Sequence, residues 1–212
     1  MKNATKKPEE GSTKSEGDPY QTRYLLHQQH GKKQELIAIM EERHSNRRFS
    51  EELPDTNIIH DIIDSTKHCP SSCDRHGVKV KIIVSRDNKA LLNGLLVGGI
   101  GWLYRAPIVL MLFADFKAYK GGEPAGDEIN YNALLDAGVM LQQMSLYATF
   151  KGLHTAFCNP QIRRSNKEFF YSRFKPRSMD NALFCGAIAL GYPHKKKIKK
   201  KRNLDNLNMI VD

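Results

Sequence analysis

Arg43-His44-Ser45-Asn46-Arg47-Arg48-Phe49 closes a stretch of helical periodicity, and further on the chain reads Cys69-Pro70-Ser71-Ser72-Cys73-Asp74. The first run places two guanidinium forks and a hydroxyl close together, at Arg43, Ser45 and Arg47. That donor set suits a doubly charged anion such as a phosphate. In the second run a proline fixes φ and two short hydroxyls follow, which suits close approach to a flat polar partner. Taken alone, a basic helix end also has a simpler reading, because cations there complement the negative pole of the helix dipole.

Working outward, Leu36, Ile37 and Met40 fit one face of a helix that begins near Gln34 and ends at Arg43. Pro54-Asp55-Thr56 opens a second helix, with Ile58, Ile59, Ile62, Ile63 and Thr66 on one side and Asp55 or Thr56 as its cap. It ends just before Pro70. Residues 78–85 are rich in β-branched side chains and read as a strand, and residues 107–114 as a more deeply buried one. A long apolar helix over residues 129–151 is closed by Gly152. A short strand over 155–158, a helix near 165–173 and a last strand over 182–191 complete the pattern. Helices and strands are interspersed, so the expected class is α+β, a central sheet flanked by helices.

A chain of 212 residues fits one domain with a sizeable core. Residues 1–18 mix four lysines with four acids among Gly, Ser, Thr and Pro and read as a disordered tail, which leaves 19–212 as the single folded domain. The net charge of +10 is concentrated: residues 195–202 hold seven positive charges, and without them it falls to +3. Such a run is most simply a solvated segment, and no aromatic residue interleaves it, which argues against nucleic acid as the partner. The apolar run 106–114 is far too short to span a bilayer, and no apolar segment follows the charged N-terminus, so the expected location is the cytoplasm without membrane contact. In that setting Cys69, Cys73, Cys158 and Cys185 are expected to be reduced thiols, and the spacing of Cys69 and Cys73 is a poor metal signature. Gly94, Gly98, Gly99 and Gly101 form neither known phosphate loop and are expected to permit close backbone packing, with Trp102 and Tyr104 beside them in the core. Ser71 lacks the elbow of a hydrolase nucleophile.

These motifs together resemble the nitroreductase family over residues 33–212. Arg43, Ser45, Arg47 and Phe49 match the family's R-x-S-x-R-x-F run, and Pro70, Ser71 and Ser72 its P-S-S turn. Gly152, Leu153 and the stretch Cys158-Asn159-Pro160 match the segment that approaches the flavin ring. Gly191-Tyr192-Pro193, then Lys200 and Arg202, match the strand end and basic pair that close on the phosphate. The resemblance implies a mixed, mainly antiparallel sheet, a homodimer with FMN at its interface, and the long helix as much of that interface. It places Arg43, Ser45 and Arg202 on the FMN phosphate, with His44 and Lys200 beside them, and Arg47 at the pyrimidine edge. There a fixed cation stabilises the negative charge that reduction creates. The family often has no dedicated protein acid or base, and none is assigned here.

The chain also departs from the family. Asp74 replaces an asparagine that hydrogen-bonds the flavin, and an aspartate accepts but cannot donate. His76-Gly77-Val78 replaces a frequent Gln-Pro-Trp, and Pro160 a common glycine. The expected function is an FMN-dependent oxidoreductase that takes two electrons from NADH or NADPH and gives them to a small electron-poor acceptor such as a nitroaromatic or a quinone. Two other functions fit the residues: a non-catalytic flavin-binding or storage protein, and a basic protein associated with nucleic acid.

Overall fold

The computed structural model describes residues 30–119 and 131–194. The tail 1–18 and the basic run 195–202, with Lys200 and Arg202, lie outside the described residues. The chain divides into two units, Met1–Ala38 and Ile39–Asp212, and helix α1 (His30–Glu42) runs through the boundary. Leu36 and Ile37 of this helix are exposed.

In the larger unit the elements follow in the order α2 (Thr56–Asp64), β1 (Val78–Ile83), α3 (Arg86–Leu95), β2 (Ile108–Asp115), α4 (Tyr131–Phe150), β3 (His154–Cys158), α5 (Lys167–Phe174) and β4 (Ala182–Gly191). The four strands form one sheet in the order β1-β2-β4-β3, and all three pairings are antiparallel. Among the described residues, the parallel element anticipated for the sheet is a single bridge between Ser45 and Thr155.

β2 lies in the interior of the sheet, and its side chains alternate between two cores, as the pleat of a strand dictates. Val109, Met111 and Phe113 join Leu92, Trp102, Phe170 and Phe174 on one face. Ile108, Leu110 and Leu112 join Ile59, Ile62, Ala137 and Met144 on the other. Both faces are therefore covered, by α3 and α5 on one side and α2 and α4 on the other. At Asp55 the side chain accepts from the Asn57 amide at 2.7 Å, capping α2 as expected. α4 ends in a Schellman turn, in which Leu153 N donates to Ala148 O at 2.8 Å and Gly152 N to Thr149 O at 3.0 Å. Gly152 sits at φ +78°, a conformation that favours glycine.

Three points need correction. The helix α3 was not anticipated, although Ser85 caps it and Lys89, Leu92 and Leu95 are buried along it. The glycines beside it differ among themselves. A Cβ on Gly98 or Gly99 would crowd Asn159 or Leu103, whereas Gly94 has open space around it and Gly101 serves a left-handed turn at φ +81°. Trp102 is buried, with its indole N–H donating to Gly98 O at 2.9 Å, but Tyr104 is exposed.

Candidate functional site

The segment after α1 leaves the helix at Arg43, whose amide still donates to Ile39 O. It then runs along the free edge of β3. Asn46 N donates to Thr155 O at 2.8 Å, and the Thr155 hydroxyl is itself bonded to that of Ser145 on α4, 2.7 Å away in the buried core. Past Arg48 the chain meets the end of β4. His194 N donates to Arg48 O, Ser50 N donates to Tyr192 O, and Phe49 bridges Pro193. A loop rich in cations is thus held at both ends by buried strands.

The ring of His44 stands edge-on to that of His154, centroids 4.9 Å apart, and its Nδ1–H donates to Glu42 O at 2.7 Å. Ser45 and Arg47 are exposed, and the Arg47 guanidinium lies over the Trp102 ring, 5.4 Å from its centroid. Arg47 is also close enough to Cys158 to act on its thiol. Burial pushes that thiol up to about 11, and the guanidinium partly offsets the shift. Asn159 follows Cys158 at the strand end and packs on Gly98, its Oδ1 accepting from Gln161 N. The fold therefore gathers His44, Ser45, Arg47, Cys158 and Asn159 around one edge of the sheet, with Gly191-Tyr192-Pro193 beside them.

Pro70, Ser71 and Ser72 are elsewhere. Ser72 N donates to both carboxylate oxygens of Asp136 on α4, at 3.0 and 3.1 Å, and the Tyr119 hydroxyl donates to the same carboxylate at 2.9 Å. Asp136 is only 5% exposed. Burial first, and then Asp136, push the Tyr119 phenol well above its ordinary range, so it remains a donor. Both motifs are thus anchored to α4, one at Asp136 and the other through Ser145. At 1.5 Å per residue the two anchors stand roughly 14 Å apart along the helix.

The turn after Ser72 is tightly wound: Cys73, Asp74 and His76 all have positive φ, at 50°, 55° and 46°. It is closed by Ser71, whose carbonyl accepts from Asp74 N and whose hydroxyl accepts from His76 N, both at 3.0 Å. The Asp74 carboxylate points outward, its side chain 92% exposed, and pairs with His76 Nε2 at 2.7 Å. Next to the turn lies a cavity of about 300 Å³, lined among others by Pro70, Ser71, His76, Tyr119, Asp136 and Met140.

Sequence reasoning missed Asp136, Tyr119, Asn46, His154 and the use of Trp102. The available signal was Asp136 itself, a lone charge on the apolar face of α4.

The topology decides the fold class when it is set beside solved structures. An FMN-dependent nitroreductase from Clostridium difficile R20291 superposes with a TM-score of 0.64 at 17% identity, covering 82% of this chain and 98% of the other. The chain has the nitroreductase fold. A nitroreductase with bound FMN from Bacteroides fragilis NCTC 9343 gives 0.64 at 18% identity over 84% of this chain and 99% of that one. NfrA2 of B. megaterium gives 0.66 at 24% identity, covering 79% and 70% respectively. No protein-family model matches the sequence, and no curated protein matches it significantly. The nitroreductase fold is therefore retained here at sequence identities where it says nothing about individual residues.

Proposed function

We propose that this chain is an FMN-dependent oxidoreductase that passes two electrons from NADH or NADPH to a small electron-poor acceptor such as a nitroaromatic or quinone. The observation that carries the reading is the cationic loop itself: Arg43, His44, Ser45 and Arg47 are presented from backbone tied to β3 and β4, next to Cys158 and Asn159. A guanidinium, an imidazole and a hydroxyl on a fixed backbone match what a phosphate monoester needs, and the second guanidinium, Arg47, is left for the flavin ring. When bound, the flavin supplies the redox chemistry, accepting a hydride equivalent from the donor and giving it to the acceptor.

The chain's own residues bind, orient and tune. Arg43 and Ser45 hold the phosphate, with His44 beside them. Arg47, steadied on Trp102, offsets negative charge gained at the pyrimidine edge on reduction. Lys200 and Arg202 are proposed as the closing part of the phosphate clamp on the family resemblance alone.

The working unit is proposed to be a homodimer. The Pro70-Ser71-Ser72 turn meets α4 far from the cationic loop, and α4 leaves Tyr131, Leu135 and Phe150 exposed for a second copy to cover. Anaerobic mixing of the FMN-loaded protein with NADH or NADPH is expected to bleach the flavin absorbance, and adding a nitroaromatic is expected to restore it. A bound flavin that neither nucleotide reduces would instead identify a non-catalytic flavin-binding protein.

A further inference from the structure

We propose that Asn46 and His154 act as a positioning pair that fixes the anion-facing loop. The pairing rests on hydrogen-bond geometry, and its purpose rests on the flavin reading above. Arg48 N donates to Asn46 Oδ1 at 3.0 Å, which settles which way the carboxamide points. With the oxygen taken by a backbone N–H, the Nδ2 group faces His154 and donates to its Nδ1 at 3.2 Å. An amide nitrogen donates only, so His154 Nδ1 is the unprotonated nitrogen and the neutral ring carries its proton on Nε2. His44, touching the same ring, has the opposite tautomer, because its Nδ1 faces the Glu42 carbonyl.

One carboxamide therefore links three parts of the molecule: the loop backbone at Arg48, the loop's own turn at Asn46, and β3 through a histidine only 7% exposed. Asn46 N donating to Thr155 O adds a backbone tie at the next position along β3. Asn46 is turned toward the strand while its neighbours Ser45 and Arg47 are exposed, as alternate residues of an extended segment must be. The pair thus holds the loop from the side opposite to Ser45 and Arg47, with the His44 ring packed against His154. A loop ordered in advance gives up less freedom when its ligand arrives, and affinity rises accordingly.

Three variants test the pair. In His154→Asn the new Oδ1 occupies the place of Nδ1 and retains an acceptor, whereas His154→Leu removes it at comparable bulk. Asn46→Ala removes the donor from the loop and carries the test if His154→Leu does not fold. Amide hydrogen exchange at Asn46 and Arg48 in flavin-free protein is expected to quicken about tenfold in the Leu and Ala variants, and FMN affinity to weaken about tenfold, the scale of one hydrogen bond. His154→Asn is expected to stay within about twofold of the parent in both measurements. Exchange in both the Leu and Ala variants within twofold of the parent, or His154→Asn as impaired as His154→Leu, would overturn the pair. Quickened exchange with unchanged FMN affinity would overturn its role in binding. A parent that binds no FMN at all would overturn the flavin reading, leaving exchange to decide the pairing by itself.

Discussion

Ser72 and Asp136 are joined by a backbone amide shared between both oxygens of a buried carboxylate, and that contact fixes the Pro-Ser-Ser turn to the long helix α4. The turn itself is wound through three left-handed non-glycine residues, a conformation that costs of order 1–3 kcal/mol per residue and persists only where surroundings enforce it. Asp136 holds the start of this turn at Ser72, and Ser71 closes it onto Asp74 and His76. Asp136→Ala would leave the Ser72 amide and the Tyr119 hydroxyl without their acceptor, and is expected to destabilise the protein by about 2–4 kcal/mol. Urea denaturation monitored by circular dichroism measures this, and Asp136→Asn, which keeps an acceptor, is expected to lose less.

Two glycine substitutions are expected to act with opposite sign. A Cβ on Gly77 would lie 2.6 Å from Tyr119 Cε2 and 2.7 Å from Ala118 Cβ, so Gly77→Ala overpacks the core and is expected to cost about 1–3 kcal/mol. Gly94 lies within α3 with nothing near its Cβ position, so Gly94→Ala is expected to stabilise by about 0.4–1 kcal/mol. Thermal denaturation of the two variants beside the parent reads both signs.

The four cysteines are unpaired with one another, and only Cys73 among them is exposed. Burial raises the Cys69 thiol, and pushes those of Cys158 and Cys185 up to about 11 and about 12. Alkylation by iodoacetamide at pH 8 is expected to label Cys73 first and the other three only on unfolding. The pH dependence follows from the direction of the shifts. Folding favours the protonated thiols of Cys158 and Cys185, so their contribution to stability is complete below the unfolded value near 9 and is lost as pH rises toward 11–12. Replacing both by alanine is expected to flatten the alkaline fall in stability over that window.

The elements most legible in the sequence were those with strong local signals. The apolar stretch of α4 ended at Gly152 as expected, and the run at 108–114 became the sheet's most buried strand because nothing in it tolerates water. α3 was hidden because the weak helix formers Gly94, Asn88 and Asn93 interrupt its pattern, and tertiary burial of Lys89, Leu92 and Leu95 outweighs the low propensity of those three. The strand order β1-β2-β4-β3 follows from packing across the whole chain, which no local pattern encodes. At the site, the cationic loop could be picked out by residue type alone. Its fastening to His154 could not, since the partners are 108 residues apart and neither is unusual where it stands.

The central claim is that the loop bearing Arg43, Ser45 and Arg47 holds the phosphate of a flavin. Fluorescence titration of FMN into purified parent and Arg43→Ala protein, with absorbance spectra of both, tests it most directly. The expected result is a yellow parent that binds one flavin for each chain, and a largely apo variant whose affinity is weaker by about 1.5–3 kcal/mol, the scale of a hydrogen bond to a charged group. A colourless parent that takes up no added FMN, or an Arg43→Ala variant within twofold of it in affinity, would contradict the claim.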